Sequence, residues 1–151
     1  ISYKATSCDI SVSGPSQITL NTIEKNTLMS IPRGGTTPSQ KTITMDVSCP
    51  AGSIGNKLYY WFNPVSGTSP AGNGIIDNLL TGGGAASNVG IIFKKDNSPV
   101  IFYDAETYSI ASAQASQKIN FTADYYRMSD NSAEVSAGHV KAMLEVVIQE
   151  E

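Results

Sequence analysis

Charged residues are scarce in this chain. Asp, Glu, Lys and Arg make up 15% of the 151 residues, where about 25% is usual in a globular protein. The net charge of −3 excludes the basic surface that a nucleic acid or an anionic lipid would need. No apolar run approaches the roughly 20 residues of a membrane-spanning helix, so we expect no membrane insertion. The chain does not open with a basic segment followed by an apolar core, so we expect no signal peptide in it.

Patterns typical of catalysis or metal binding are missing too. A Ser-His-Asp or Cys-His site would have to use His139, the single histidine, and the sequence holds no Gly-x-Ser-x-Gly motif. The glycines at 82–84 are not followed by the Lys-Ser or Lys-Thr pair of a phosphate-binding loop. The carboxylates show no calcium-loop spacing. We therefore expect no catalytic residue, no metal site and no cofactor.

Cysteine is nearly absent as well, and the two that are present stand far apart, at Cys8 and Cys49. Neither belongs to a Cys-x-x-Cys pair, and the distant His139 completes no zinc site with them. The alternatives are one disulfide or two free buried thiols. A disulfide is the favoured interpretation, and it would indicate an oxidising compartment.

Short segments of alternating apolar and polar residues lie between frequent Gly-, Pro-, Ser- and Asn-rich turns. The alternation is clear in "KTITMDVSC" (41–49) and "KINFTADYY" (118–126), and "NVGIIFKKDNSPVIFY" (88–103) has the form of a hairpin around its "KDNSP" turn. A period of two with one apolar face indicates a half-buried strand. This rhythm predicts an all-β sandwich or barrel, and the length suits one domain over residues 1–151.

The last segment, "HVKAMLEVVIQEE" (139–151), is ambiguous. Its Ala, Met, Leu, Glu, Lys and Gln residues favour a helix. The same residues also alternate without a break, which places Lys141 and every second residue after it on an outward face. We predict a strand, because the preceding segments are β-like and "SAG" is a poor helix start. Glu150 and Glu151 lie beyond the last apolar residue, so we expect them to be mobile. The inward face comprises Val140, Ala142, Leu144, Val146 and Ile148.

Several motifs together resemble the pilin domain of chaperone–usher pilus (fimbrial) subunits of the type 1 and P pilus kind. A Cys in the first strand, "ATSCDISV", and a second at the end of "KTITMDVSC" are similar to that family's single disulfide. "ASNVGIIFKKDNSPV" resembles its central strand and hairpin. "INFTADYYRMSDNSAEVSAGHVKAMLEVVIQ" resembles its last two strands, with an Ala-Gly-x-Val turn between them. The resemblance covers nearly the whole chain.

The resemblance implies an incomplete immunoglobulin-like β-sandwich that lacks its final strand. In such a fold the first and last strands flank a groove that opens onto the core, and a donor strand from another polypeptide fills it. The residues expected to line this groove are Ile10, Val12, Val140, Ala142, Leu144, Val146 and Ile148.

The resemblance also implies a function and a location. The chain is expected to be a structural, non-enzymatic pilus subunit that supports adhesion and is assembled by donor-strand complementation and exchange. Its implied partners are a periplasmic pilus chaperone, an outer-membrane usher and neighbouring pilus subunits. It would be exported through the periplasm to the cell-surface pilus.

Two departures from the family pattern keep alternatives open. Ile148 stands where the family usually has an aromatic residue, and Glu150 and Glu151 extend the end. Only seven residues precede Cys8, so we expect the N-terminal donor extension of a polymerising subunit to be absent. The alternatives are the pilin domain of a two-domain tip adhesin and a secreted carbohydrate-binding β-sandwich or hydrolase, for which "YYWF" (59–62) would be an aromatic platform.

Overall fold

The computed structural model describes residues 8–12, 20–65, 70–80 and 82–151, which are almost entirely β-structure. No helix in these ranges is long and apolar enough to cross a membrane. Short 3-10 turns lie at Ala51–Ser53 and Ser132–Glu134. The elements are β1 (Asp9–Val12), α1 (Lys25–Ser30), β2 (Lys41–Ser48), β3 (Leu58–Pro64), β4 (Pro70–Gly72), β5 (Ile75–Ile76), β6 (Val89–Lys95), β7 (Ser98–Pro99), β8 (Tyr108–Ile110), β9 (Ser116–Arg127) and β10 (Leu144–Glu150).

The strands form two antiparallel sheets. The larger sheet has the order β1-β2-β9-β6-β5-β4, with β7 paired to β6, and the smaller has the order β10-β3-β8. In the described part of the chain, β1 has β2 as its one hydrogen-bonded neighbour and β10 has β3. Within these described ranges, each sheet therefore has a strand with an unpaired edge, β1 in one sheet and β10 in the other.

The core lies between the two sheets and is built by the alternation that the sequence predicts. Every second residue of β2, β3 and the middle of β9 is buried, so the inner faces of these strands meet. Aromatic rings pack within and between the sheets: the Phe62 ring lies 5.3 Å from the Tyr108 ring of its own sheet and 5.3 Å from the Phe121 ring of the larger sheet. The buried residues that these three strands supply are Ile43, Met45, Val47, Leu58, Tyr60, Phe62, Ile119, Phe121 and Ala123.

The larger sheet is also covered on its outer face, by the segment between α1 and β2. Asp124 of β9, only 1% exposed, accepts hydrogen bonds from the backbone nitrogen and the hydroxyl of Thr37. The Lys94 ammonium donates to the Gly34 carbonyl. Buried polar groups are tolerated when they are hydrogen-bonded in this way. The cover explains why β6 is buried on both faces instead of alternating.

The hairpin at 88–103 has the tight turn that its sequence indicates. β6 pairs with β7, and the turn residues Asp96 and Asn97 have φ angles of 52° and 66°. Two successive positive φ angles give a turn whose twist suits a β-hairpin, and Asp and Asn tolerate this conformation better than most residues. In the second arm the strand covers Ser98–Pro99, and the Val100 nitrogen still donates to the Phe93 carbonyl at 2.9 Å.

The chain end differs from expectation. The predicted strand is present but begins at Leu144, and the expected mobile tail is wrong because the ladder with β3 runs to Glu150. Asn56 donates a side-chain hydrogen bond of 2.6 Å to the Glu150 carboxylate. The Glu151 nitrogen donates to the Lys57 carbonyl at 3.0 Å. The ladder with β3 and hydrogen bonds to the two residues just before β3 therefore hold Glu150 and Glu151, although neither residue is apolar.

The two cysteines form the predicted disulfide. Cys8 and Cys49 are bonded, with their Cα atoms 4.2 Å apart, and both are buried. The bond joins the residue that precedes β1 to the residue that follows β2, so it reinforces the ladder between these two strands. Because the cysteines are 41 positions apart, the bond also restricts a long loop in the unfolded chain.

Replacing both cysteines with alanine is expected to lower the free energy of unfolding by about 4 kcal/mol, on the loop-entropy relation. Urea unfolding of the oxidised parent and the double variant would measure the difference. The denatured, unreduced parent serves as the control and should show no free thiol on titration. A variant as stable as the parent would show that the bond contributes nothing.

The buried Tyr60 makes the stability of the fold decrease at alkaline pH. Burial, with smaller contributions from Asp96 and Tyr108, raises the pKa of Tyr60 to about 12. The unfolded chain releases this proton at about pH 10, so stability present below pH 10 should fall as the pH rises from 10 towards 12. Tyr60→Phe should weaken this loss in urea titrations at pH 9, 10 and 11. Tyr103→Phe is the matched control, because Tyr103 is 63% exposed and should leave the loss unchanged.

Candidate strand-accepting groove

The unpaired edges of the two sheets lie next to each other. β1 and β10 are in contact, yet they belong to different sheets and share no ladder. An edge strand presents backbone amides and carbonyls that can pair with another strand. Two such edges side by side leave a slot whose two walls can both form hydrogen bonds.

A cavity of about 730 Å³ opens between these edges. Clefts of about 300–1,000 Å³ are usual for sites that take a ligand. The inner face of the larger sheet forms the floor of the cavity, which is therefore an open part of the core. The floor residues are Ile43, Met45, Ile91, Phe93, Phe121, Ala123 and Tyr125.

The residues predicted for a groove fall on or beside this cavity. Its lining includes Val12, Val140, Ala142, Leu144 and Val146. Ile10 and Ile148 are half-buried and pack against the core, but among the described residues they lie outside the lining. Their shared role as contacts for a donor strand stays a prediction.

The backbone of β10 can form hydrogen bonds with a second strand on the side away from β3. Met143 accepts a hydrogen bond from the Val65 nitrogen, and Glu151 donates to the Lys57 carbonyl, so the odd-numbered residues face β3. Backbone groups of successive residues point in opposite directions along an antiparallel ladder. The backbone groups of Leu144 and Val146 are therefore directed towards the open edge.

A second small cluster closes the far end of the cavity, and no pattern in the sequence indicates it. Leu28 of α1 packs with Ala86, Val89 and Val135, and Ile23 and Val140 lie against them. A six-residue helix has too short an apolar pattern to be recognised, and these contacts join segments that are far apart in sequence. The cluster extends the groove beyond β10 to α1.

The turn before Val140 is held by a close backbone contact at Gly138. Its φ angle is +153°, and a Cβ atom there would lie 2.5 Å from the Ala85 carbonyl carbon. His139 then donates from its nitrogen to the Gly84 carbonyl, and its own carbonyl accepts from the Ala86 nitrogen. These contacts set where the chain enters the groove wall.

Polar residues in the lining gather at this same end. Lys25, His139 and Lys141 all line the cavity, together with Thr22 and Ser136. The expected outward placement of Lys141 is only half correct: its side chain is exposed, but the residue stands at the cavity mouth. In the described residues no group of three or more His, Cys, Asp or Glu side chains could hold a metal ion.

Gly138→Ala is expected to destabilise the fold by roughly 1–3 kcal/mol, because a methyl group cannot fit against the backbone of residues 85 and 86. Thermal unfolding would measure the loss. Gly82→Ala is a useful comparison: Gly82 also has a positive φ, but no atom lies within 4 Å of the position that its methyl group would take. If both variants lose the same amount, the close contact is not the cause.

Two antiparallel sheets, one with β1 and the other with β10 at an open edge of the core, make this an incomplete immunoglobulin-like β-sandwich. A family model described as fimbrial protein matches residues 1–149. The chain therefore belongs to the fimbrial protein family. Members of this family are subunits of cell-surface pili, in which they assemble with one another.

Solved structures show the same fold. The P pilus rod subunit PapA matches with a TM-score of 0.67 at 16% identity, over 94% of this chain and 99% of that chain. A subunit in a structure of a chaperone–usher pilus, concerned with rod uncoiling, matches with a TM-score of 0.61 at 18% identity, over 100% and 94%. The CupB6 tip adhesin from Pseudomonas aeruginosa matches with a TM-score of 0.56 at 24% identity, over 78% and 32%. No curated protein sequence matches the chain.

Proposed function

We propose that this pilus subunit is assembled by donor-strand complementation, with the cavity between β1 and β10 as the acceptor groove. The observation that carries the proposal is the open core of about 730 Å³ between two unpaired sheet edges. Strand addition at a sheet edge is a general mode of peptide recognition, and chaperone–pilin complexes are an established example of it.

The groove offers an incoming strand two kinds of interaction. The edges of β1 and β10 supply backbone hydrogen bonds, which are insensitive to the donor's sequence. The half-buried side chains of Val12, Ala142, Leu144 and Val146 supply apolar contacts for every second donor residue. Burial of apolar surface contributes roughly 25 cal/mol per Å² and favours donors with an alternating pattern.

The proposal extends to partners and location. An unfilled edge over an open core is prone to aggregation, so a periplasmic chaperone strand occupies it until assembly. An outer-membrane usher then exchanges that strand for one from a neighbouring subunit, and the subunit reaches the pilus through the periplasm. Residues 1–151 act as one pilin domain with a mechanical and adhesive role in place of an enzymatic one.

A second candidate function is the pilin domain of a two-domain tip adhesin. The match to the CupB6 tip adhesin favours it, because 78% of this chain aligns with only 32% of that one. The sequence that precedes this chain in its gene separates the two. An alternating apolar extension supports a polymerising subunit, whereas a further domain of similar size supports an adhesin.

Leu144→Glu is expected to abolish capture of the chaperone or of a donor-strand peptide. Its carboxylate would lie in the cavity beneath the incoming strand, and burying an unpaired charge costs several kcal/mol. Co-expression with the chaperone, followed by purification of a one-to-one complex, measures the effect.

Gln149→Glu is the matched control, since it places the same carboxylate on the exposed face of β10. It should be captured like the parent. Capture of Leu144→Glu but not of Gln149→Glu would mean that the register is wrong by one residue. If neither change affects capture, the groove lies elsewhere.

A further inference from the structure

The cavity has positively charged or titratable residues at one end and is apolar along the rest. Lys25 lies at the start of α1, and His139 and Lys141 lie on the segment leading into β10. No Asp or Glu is among the described residues that line the cavity. This is unexpected in a chain with 13 acidic and 10 basic residues, so the occupant should supply negative charge at this end.

The part of the chain that the structure describes does not neutralise the two lysines. Within the described ranges, neither Lys25 nor Lys141 has a carboxylate within 4.0 Å, whereas Lys118 pairs with Asp46 at 2.6 Å. Lys25 is half-buried beside Leu28, which anchors α1 to the end of the cavity.

The spacing along the groove limits where that partner would lie. Val146 lines the apolar part of the cavity, and Val140 lies next to the charged end. The two residues are six positions apart and only the last part of this stretch belongs to β10, so they lie at most roughly 20 Å apart. A donor strand would therefore carry its charged residue within about six positions of the residue that packs on Val146.

We propose that the strand completing this fold comes from a neighbouring pilus subunit and bears an Asp or Glu that lies among Lys25, His139 and Lys141. The inference rests on the proposed function and adds a charge requirement to it. Recognition then has two parts, alternating apolar contacts along the groove and an ionic contact at its end. Residues 1–7, "ISYKATS", contain Lys4 and no carboxylate, so residues 1–7 of a second copy do not meet the requirement.

Capped peptides with alternating Ile and Thr test the proposal on the full chain. Two frames place the charged position at the N-terminal or the C-terminal end, and each is made with Glu, Gln or Lys there. In one frame, the Glu peptide should bind about 3- to 10-fold more tightly than the Gln peptide, as expected for a partly screened ionic contact. The Lys peptide should bind most weakly, and the preference should vanish near 1 M salt.

Lys141→Glu should reverse the order, so that the Lys peptide binds more tightly than the Glu peptide. Lys57→Gln is the control, because Lys57 lies beyond the other end of β10, and it should leave the preference for Glu unchanged. Equal binding of the Glu, Gln and Lys peptides in both frames overturns the charge requirement and leaves strand acceptance intact. Failure of every peptide to bind overturns strand acceptance, and the charge requirement with it.

Discussion

One physical constraint governs this fold: the edge strands of a β-sandwich must be paired or covered. In the described residues β1 and β10 do not pair with each other, and neither covers the other's edge. The strands lie side by side in different sheets, and the apolar floor of the larger sheet stays open between them. A sandwich that closed this gap with its own chain would need one more strand. The disulfide fastens one end of β1 to β2, and the turn at Gly138 sets where the chain enters the wall that leads into β10.

Polar contacts hold the parts of this sandwich that apolar alternation does not. Asp124 and Thr37 bind the covering segment to the larger sheet, and the 3.1 Å hydrogen bond from the Arg127 side chain to the Ile31 carbonyl adds to it. Without that cover, Ile92 and the stem of Lys94 would be exposed on an otherwise solvated face. The larger sheet is thus packed on both faces at β6, which supplies part of the floor of the groove.

The strands and the disulfide could be predicted from the sequence because alternation is a local signal with one physical cause. Helix-forming residues such as Met143 and Leu144 obscured the last strand, and its period of two still led to the correct assignment. The covering segment, α1 and the Leu28 cluster could not be predicted, since each depends on contacts between residues far apart in the chain. The inward face of the last segment followed from period two and its role in a groove stays a prediction, whereas the lysine at the end of the cavity, Lys25, required the fold.

The bond between Cys8 and Cys49 has a mechanical consequence when a pilus is under tension. In the proposed assembly, a donor strand lies along β1 and β10, and a load on the fibre would shear its rows of backbone hydrogen bonds together. The described part of β1 covers four residues, so its ladder with β2 is short. Because the disulfide fastens its first end to the end of β2, pulling cannot peel β1 away from that end, and the force passes into the long ladder of β2 and β9.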